Sequence, residues 1–526
     1  MTGKIEFAKF FISQGRIEDA KGMLHEVINA NPDSMHAHFE MGKILQIEGN
    51  DQGAEIEYKK VVSLDTSFSE AHLELARIYY RQKRFDLAME RYRQVTDAHQ
   101  TSGEAFREMG KLWDDMGNFG KAVESLECAV RLCPGNIDIL SDLARTYREG
   151  GKEKEAAETF RKILAAPQVI ESKFLHNKFL NELEITERKE VLESKLRAMI
   201  AMVLDRCNIR CRICHIWEGS WQARDSIMKE ITDLFPYMEE ICWEGGEVFL
   251  MKGFDEILGE GAKHKNLKQI IFTNGLLLTE NILEKLNQGN ADIVFSIDAV
   301  HKDTYEYIRR GGKFEKLVKN LEMVREFRKK NGSNINIYLN PIIMKSNYQQ
   351  MEDIVAFGKE YGFNAVTFTP LRGEFADENI FELKNETALQ EIRQSLVRIS
   401  DRSKEYGIRV NNWLPVEESP CGCDSHLPGV AAHDQDSKDM GMQKNARMIC
   451  YSPWQRLTID SGGPARPFAF CLNKFVGSTD LMSLAEIWNG AGMRYYRRKI
   501  ATGDFADLCQ PECISGQVRD KICRIV

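Results

Sequence analysis

A 34-residue period runs through the first third of the chain and constrains its fold more than any other feature. Small residues recur at Ala8, Gly42, Ala76, Gly110 and Ala144, and again at Ala20, Ala54, Ala88, Ala122 and Ala156. Bulky residues keep the same step at Phe11, Leu45, Tyr79, Trp113 and Tyr147, and at Leu24, Tyr58, Tyr92, Leu126 and Phe160. A small side chain lets two helices approach closely, and a large one fills the adjoining hole. Gly15, Gly49, Gly117 and Gly151 stand where the first helix of each pair must end, as a left-handed C-terminal cap requires.

The registers agree without an insertion. The pattern resembles the tetratricopeptide repeat, in five copies over residues 1–170. That resemblance implies a solenoid of helix pairs. Such an array serves either as a scaffold or as a concave groove that captures a peptide or protein partner, and both readings stay open here. Cys128 and Cys133 read as small core or near-core residues of the fourth repeat.

At about 150 residues per domain, 526 residues make three or four domains. The net charge of −8 gives no global basic field, so no nucleic-acid partner is expected. No apolar run approaches the ~18 residues of a membrane span, and the first residues lack the apolar core of a signal peptide. A cytoplasmic location is expected, where disulfides do not persist. Thirteen clustered cysteines then point to metal or redox chemistry.

Residues 171–198 are charged and helical in pattern, a linker between domains. A short apolar strand follows, then Cys207, Cys211 and Cys214 in a C-x3-C-x2-C loop. Three neighbouring thiolates can hold three irons of a [4Fe–4S] cluster and leave the fourth open. Zinc is the rival, with His215 as a fourth ligand. Downstream come Gly245-Gly246-Glu247 after an apolar strand, Thr273-Asn274-Gly275 after another, Ser296-Ile297-Asp298 after a third, and then Ile308-Arg309-Arg310-Gly311-Gly312. Helical stretches are predicted near 253–264, 278–288, 313–330 and 347–361, with two more strands in INIYLNPIIM and NAVTFTPLR. Strands alternating with helices predict a parallel sheet curled into an incomplete barrel, with the motifs on the edge where such folds carry their sites. Cys242 lies inside an apolar strand and reads as core, as does Trp243.

This ordered set resembles the radical S-adenosylmethionine (SAM) superfamily over residues 199–410, with Val248 where the family usually has proline. The resemblance implies a [4Fe–4S] cluster on Cys207, Cys211 and Cys214, with SAM bound at the open iron. It places Gly245, Gly246 and Glu247 near the methionine amino group, and Asn274, Ser296 and Arg309 among the cofactor contacts. Arg309 would pair the SAM carboxylate, a contact suited to a guanidinium. Asp298 would reach the ribose or cap the next helix.

Cys421, Cys423, Cys450, Cys471, Cys509, Cys513 and Cys523 crowd the last quarter. Residues 450–471 read as a hairpin turning at Ser461-Gly462-Gly463, and residues 481–503 as one amphipathic helix. This segment, 411–526, resembles the SPASM and twitch extensions of radical SAM enzymes. The resemblance implies one auxiliary [4Fe–4S] cluster held by Cys450, Cys471, Cys509 and Cys513, with Cys523 able to replace one of them. Cys421 and Cys423 complete a second cluster, meet the substrate, or do neither.

The expected fold is an all-α tetratricopeptide solenoid, then a partial (β/α)6 barrel, then a small α+β iron–sulfur extension. The implied chemistry is reductive cleavage of SAM to a 5′-deoxyadenosyl radical that abstracts hydrogen from a peptide or protein side chain. A flavodoxin or ferredoxin would supply the electron. The alternatives are oxidation or rearrangement of a small molecule such as a sugar alcohol, and a binding scaffold with a non-catalytic cluster.

Overall fold

The computed structural model describes residues 2–98, 101–333, 335–373, 375, 377–416, 450–468, 471, 474–504 and 507–509. The chain forms two compact units that divide after Ala165. The first holds five helix pairs, from Thr2–Ser13 and Ile17–Ala30 to Ile137–Glu149 and Glu153–Leu164. Ala20, Ala54, Ala88, Ala122 and Ala156 are all fully buried, as are Leu24, Tyr58, Leu126 and Phe160. A Cβ on Gly42 would meet the Tyr58 ring at 2.5 Å, and one on Gly110 would meet Leu126 Cγ at 2.6 Å. The small-against-large rule is therefore literal in these pairs.

Gly15, Gly49, Gly117 and Gly151 have φ between +72° and +76°. The third repeat puts Lys83 at the same place, with φ +58°, and L side chains are strained there. A second periodic signal passed unnoticed in the sequence. Glu6, Glu40, Glu74, Glu108 and Asp142 stand three residues before Lys9, Lys43, Arg77, Lys111 and Arg145. Ion pairs form within a helix (Lys9–Glu6 2.9 Å, Lys43–Glu40 3.2 Å, Arg145–Asp142 2.7 Å) and between repeats (Arg77–Glu108 2.7 Å). The exposed Lys9–Glu6 pair contributes a few tenths of a kcal/mol, while Glu40 and Asp142 are themselves buried.

The second unit opens with the short helix Pro167–Ile170, and Lys173–Thr186 follows, so the linker is helical over only part of 171–198. Its strands are β1 (Ala198–Met202), β2 (Arg210–Cys211), β3 (Glu240–Glu244), β4 (Lys268–Thr273), β5 (Asn290–Phe295), β6 (Arg309–Arg310), β7 (Asn336–Leu339), β8 (Ile342–Ile343), β9 (Ala365–Pro370), β10 (Arg409–Asn412), β11 (Arg456–Ile459), β12 (Pro464–Arg466) and β13 (Gly477–Ser478). The main sheet runs β10-β9-β7-β5-β4-β3-β1-β11-β12-β13. From β1 to β10 all neighbours are parallel and follow chain order. Right-handed crossovers in that order lay every connecting helix on one face, which gives an incomplete barrel. The helices Phe254–Ala262, Glu280–Asn287, Phe314–Asn331 and Met351–Glu360 fall on the predicted stretches. Trp243 is fully buried on the helix side, edge-on to Phe254 with centroids 5.2 Å apart. β10 was not foreseen, because Arg409-Val-Asn-Asn is short and polar.

The hairpin forms as read, with β11 antiparallel to β12. Beyond that reading, β11 pairs in parallel with β1 and so joins the barrel's own sheet. The single helix expected at 481–503 is two helices, Leu484–Trp488 and Ala491–Ala501. Gly490 breaks it, since a Cβ there would meet Glu486 O at 2.6 Å. Asn489 bonds the backbone of Leu192 through both side-chain ends, at 2.9 and 2.8 Å.

Two predictions follow for the repeats. Lys83→Gly relieves left-handed strain, and urea unfolding of the full chain should show the array stabilised by about 0.5–1 kcal/mol. Burial pushes the Asp114 carboxyl up to about 6, against the hydrogen bond from Thr146. A raised carboxyl pKa means that stability falls as pH rises from about 4 to about 6. Asp114→Asn should therefore stabilise the array at pH 7 by about 1–2 kcal/mol, with the gain gone at pH 4.

Candidate active site

The cysteine loop leaves β1 and is pinned from several directions. Asp205 N donates to Trp221 O at 2.9 Å, and Ser461 Oγ donates to Asp205 Oδ1 at 2.7 Å. Within the loop, β2 pairs antiparallel with β6 and sets Cys211 opposite Arg309. Arg212 N adds a bond to Ile308 O at 2.9 Å. The predicted IRRGG segment is thus a two-residue clasp on the cysteine loop.

Gly245 and Gly246 press on the same loop from β3. Gly245 has φ +123°, and a Cβ there would lie 2.5 Å from Leu204 O. A Cβ on Gly246 would lie 2.1 Å from Arg206 O. Gly246 N donates to Leu204 O at 2.6 Å, and Glu247 N to Arg206 O at 2.9 Å. Glycine is needed because backbone meets backbone. The Glu247 side chain turns inward and is almost fully buried. It accepts from Thr273 Oγ1 at 2.8 Å and from Asn274 N at 2.9 Å, so it staples the end of β3 to the end of β4. Burial drives its carboxyl up to about 7 against those bonds.

Asn274 Nδ2 donates to Asn208 Oδ1 at 2.7 Å and lies 3.8 Å from Cys207 Sγ. Ser296 is partly exposed at the end of β5. Asp298 is fully buried and forms an ion pair with Arg309 at 2.8 Å. Its other oxygen accepts from Ile342 N at 3.0 Å. Arg309 Nη1 lies 3.8 Å from Cys211 Sγ. The Tyr305 hydroxyl is buried beside this pair without a hydrogen-bond partner among the described residues. His215 stacks on Phe375, with centroids 5.0 Å apart.

The residue types suit a thiolate-held cluster, and among the described residues the three sulfurs are not yet gathered into a group that would hold a metal ion. Cys207, Cys211 and Cys214 share one loop and are half-buried. A guanidinium and an amide face two of the sulfurs, as negative sulfur requires. Burial first, with Asp298 and the two neighbouring thiols adding, pushes the Cys211 thiol up to about 12 against Arg309, so loading a metal there must release protons.

In the C-terminal region Cys471 and Cys509 are bridge partners on adjacent backbone. Both press on the Tyr496 hydroxyl, whose pKa is raised first by burial and then by these two thiols. Cys450 packs against the edge of the same core. Cys421, Cys423, Cys513 and Cys523 lie outside the described residues.

An incomplete parallel barrel thus carries a three-cysteine loop clasped at its strand ends, in one chain with an array of helix pairs. Residues 202–378 match the radical SAM superfamily, and residues 70–102 match the tetratricopeptide repeat. The GTP 3′,8-cyclase of Clostridium botulinum (strain Hall) is 27% identical over 177 residues, 32% of this chain and 54% of the relative. The probable GTP 3′,8-cyclase of Methanocaldococcus jannaschii is 27% identical over 246 residues, 44% of this chain and 80% of the relative. The chain spans about half the length of the Clostridium relatives it matches. Among solved structures, MamA aligns over 30% of this chain and 92% of its own at 24% identity and TM-score 0.29. Streptococcus suis SuiB aligns over 71% and 82% at 14% identity and TM-score 0.44.

Gly246→Ala tests the close approach. The added methyl must displace the loop backbone, so iron retained after anaerobic reconstitution should fall several-fold. The far-ultraviolet dichroism should stay unchanged.

Proposed function

We propose that the chain is a radical SAM enzyme that modifies a peptide or protein side chain. The observation that carries this reading is the clasp itself: the backbone that leads into the cysteine loop is held against Gly245-Gly246 at Leu204 and Arg206, and Cys211 is paired opposite Arg309. Cys207, Cys211 and Cys214 would hold the [4Fe–4S] cluster. When bound, cluster and SAM supply a 5′-deoxyadenosyl radical able to take hydrogen from an unactivated carbon. The protein's own part is to orient and to exclude water. The main-chain groups of Gly245, Gly246 and Glu247 bind the methionine end of SAM, with Asn274 and Ser296 along the same edge. Cys450, Cys471, Cys509 and Cys513 hold one auxiliary cluster, with Cys523 as substitute. A flavodoxin or ferredoxin is the reductant.

The peptide substrate is supported by the array. Between the helices Phe85–Ala98, Gly103–Asp115 and Phe119–Leu132 lies a cavity of ≈ 610 Å³ lined by Phe106, Met109 and Trp113, with Arg93, Lys121 and Arg131 among its charged residues. Asp97 and Glu124 line it too, so an apolar floor with charges of both signs suits a peptide segment. The cyclase relatives favour a second reading, a nucleotide substrate. Their likeness covers 32% to 44% of this chain.

Anaerobically reconstituted protein should hold about eight irons per chain, from two four-iron clusters. With dithionite and SAM it should release 5′-deoxyadenosine, and Cys211→Ala should lose at least 100-fold of that rate. Zinc in place of iron, or clusters without cleavage in the presence of candidate peptides, overturns the enzyme reading. Conversion of GTP at a comparable rate overturns the peptide reading.

A further inference from the structure

The alternation along β3 sends Trp243 into the helix layer and turns Cys242 and Glu244 to the opposite face, the lumen of the barrel. Register fixes their neighbours. One row across the sheet runs Thr458, Ile200, Cys242, Ile270, Asp292 and Asn336. In the next row Met202 stands opposite Glu244. Asp460 extends β11 one residue beyond the Ala201–Ile459 pair and so flanks Met202 on the other side. Two acids thus lie in one row, two strands apart. That row sits just before the Gly245-Gly246 turn, at the reacting end of the lumen.

The two acids are treated differently. Asp460 is bonded to Arg466 by two guanidinium nitrogens. Further down the lumen, Lys268 pairs with Asp292 at 2.7 Å. Glu244 has no cationic partner among the described residues. Among the described residues its carboxylate has one side-chain partner, the Cys242 thiol at 3.2 Å. Burial raises the pKa of Glu244, and Asp460 raises it further. Glu244 is still partly exposed. A substrate side chain that covers it removes that exposure. A carboxylate stripped of water without a cation costs several kcal/mol, while one that gains a hydrogen-bonded cation recovers most of it.

We propose that Glu244 is a specificity residue of the substrate site, and that its carboxylate takes the cationic end, an ammonium or guanidinium, of the side chain that enters the lumen. Met202 and Phe272 flank it and cover the aliphatic stem of such a side chain. The Cys242 thiol holds the carboxylate in its rotamer. The inference rests on reading the barrel as the catalytic site for a peptide side chain, and it adds the charge class of that side chain.

The test uses the reconstituted full chain with SAM bound, titrated calorimetrically with three probes. Nα-acetyl-lysine methylamide and Nα-acetyl-arginine methylamide carry the two cations, and Nα-acetyl-norleucine methylamide is the uncharged control. At least one cationic probe should bind tenfold or more tightly than norleucine. Glu244→Gln should erase that preference with iron content unchanged, and Glu244→Asp should keep part of it. Met202→Lys places an internal ammonium opposite Glu244 and should erase the preference too, which covers the case in which the Gln variant fails to fold. Equal binding of norleucine and both cations to the wild type overturns the proposal, as does a preference that survives Glu244→Gln. Failure here with 5′-deoxyadenosine still formed rejects the charge assignment alone. Absence of 5′-deoxyadenosine rejects the enzyme reading beneath it.

Discussion

Strand β1 is hydrogen-bonded along both edges, to β3 on one side and to β11 on the other. The rest of the second unit is arranged around that double pairing. β1 delivers the chain to the cysteine loop, β3 delivers it to the glycine turn, and the β11 hairpin delivers Ser461 to Asp205. Three separate stretches of sequence therefore meet at one strand end. A shift of one residue in either ladder would send Ile200 and Met202 into the helix layer and Ala201 into the lumen. Register is the constraint that the site inherits.

Buried charge secures the same region. Arg197, just before β1, pairs with Glu182 at 2.7 Å and Glu239 at 2.8 Å, with Arg197 and Glu182 nearly without exposure. Arg497 is fully buried and donates to Pro453 O at 2.9 Å and Glu190 O at 2.8 Å. The Asp298–Arg309 pair closes the other end. Removing one partner of a buried pair costs about 3–5 kcal/mol, because the charge left behind has neither water nor partner. These pairs add little net stability and much uniqueness of geometry. Arg309 illustrates the point. Its guanidinium is shared between a carboxylate and the sulfur of Cys211, so its position is set before any cofactor arrives.

What could be read in the sequence was whatever is encoded at short range. The 34-residue register, the left-handed glycines and the Cys207–Cys214 spacing are local, and each has its own physical reason to recur. The parallel strands β1, β3, β4, β5, β7 and β9 were legible because apolar runs and helical stretches alternate. Non-local pairings were not legible. Nothing in Arg456–Ile459 says that its partner is β1 rather than only its own hairpin. The clasp of β2 on β6 is two residues long and leaves no periodic trace. Asp298 and Arg309 were each assigned by motif, and a motif names a residue without saying what it touches. The break at Gly490 was missed because an isolated glycine in a helical pattern is often tolerated.

The parallel pairing of β1 with β11 also has a consequence for how the protein is made. The two strands are separated by roughly 250 residues, which takes about 10–50 s to synthesise at ordinary elongation rates. Through that interval the barrel's first strand has an open hydrogen-bonding edge beside three unprotected thiols. An exposed edge of this kind invites pairing with another nascent chain. The order of β1 and β11 in the sheet therefore makes maturation late: the cysteine loop is translated well before Arg456–Ile459, the strand that completes its support.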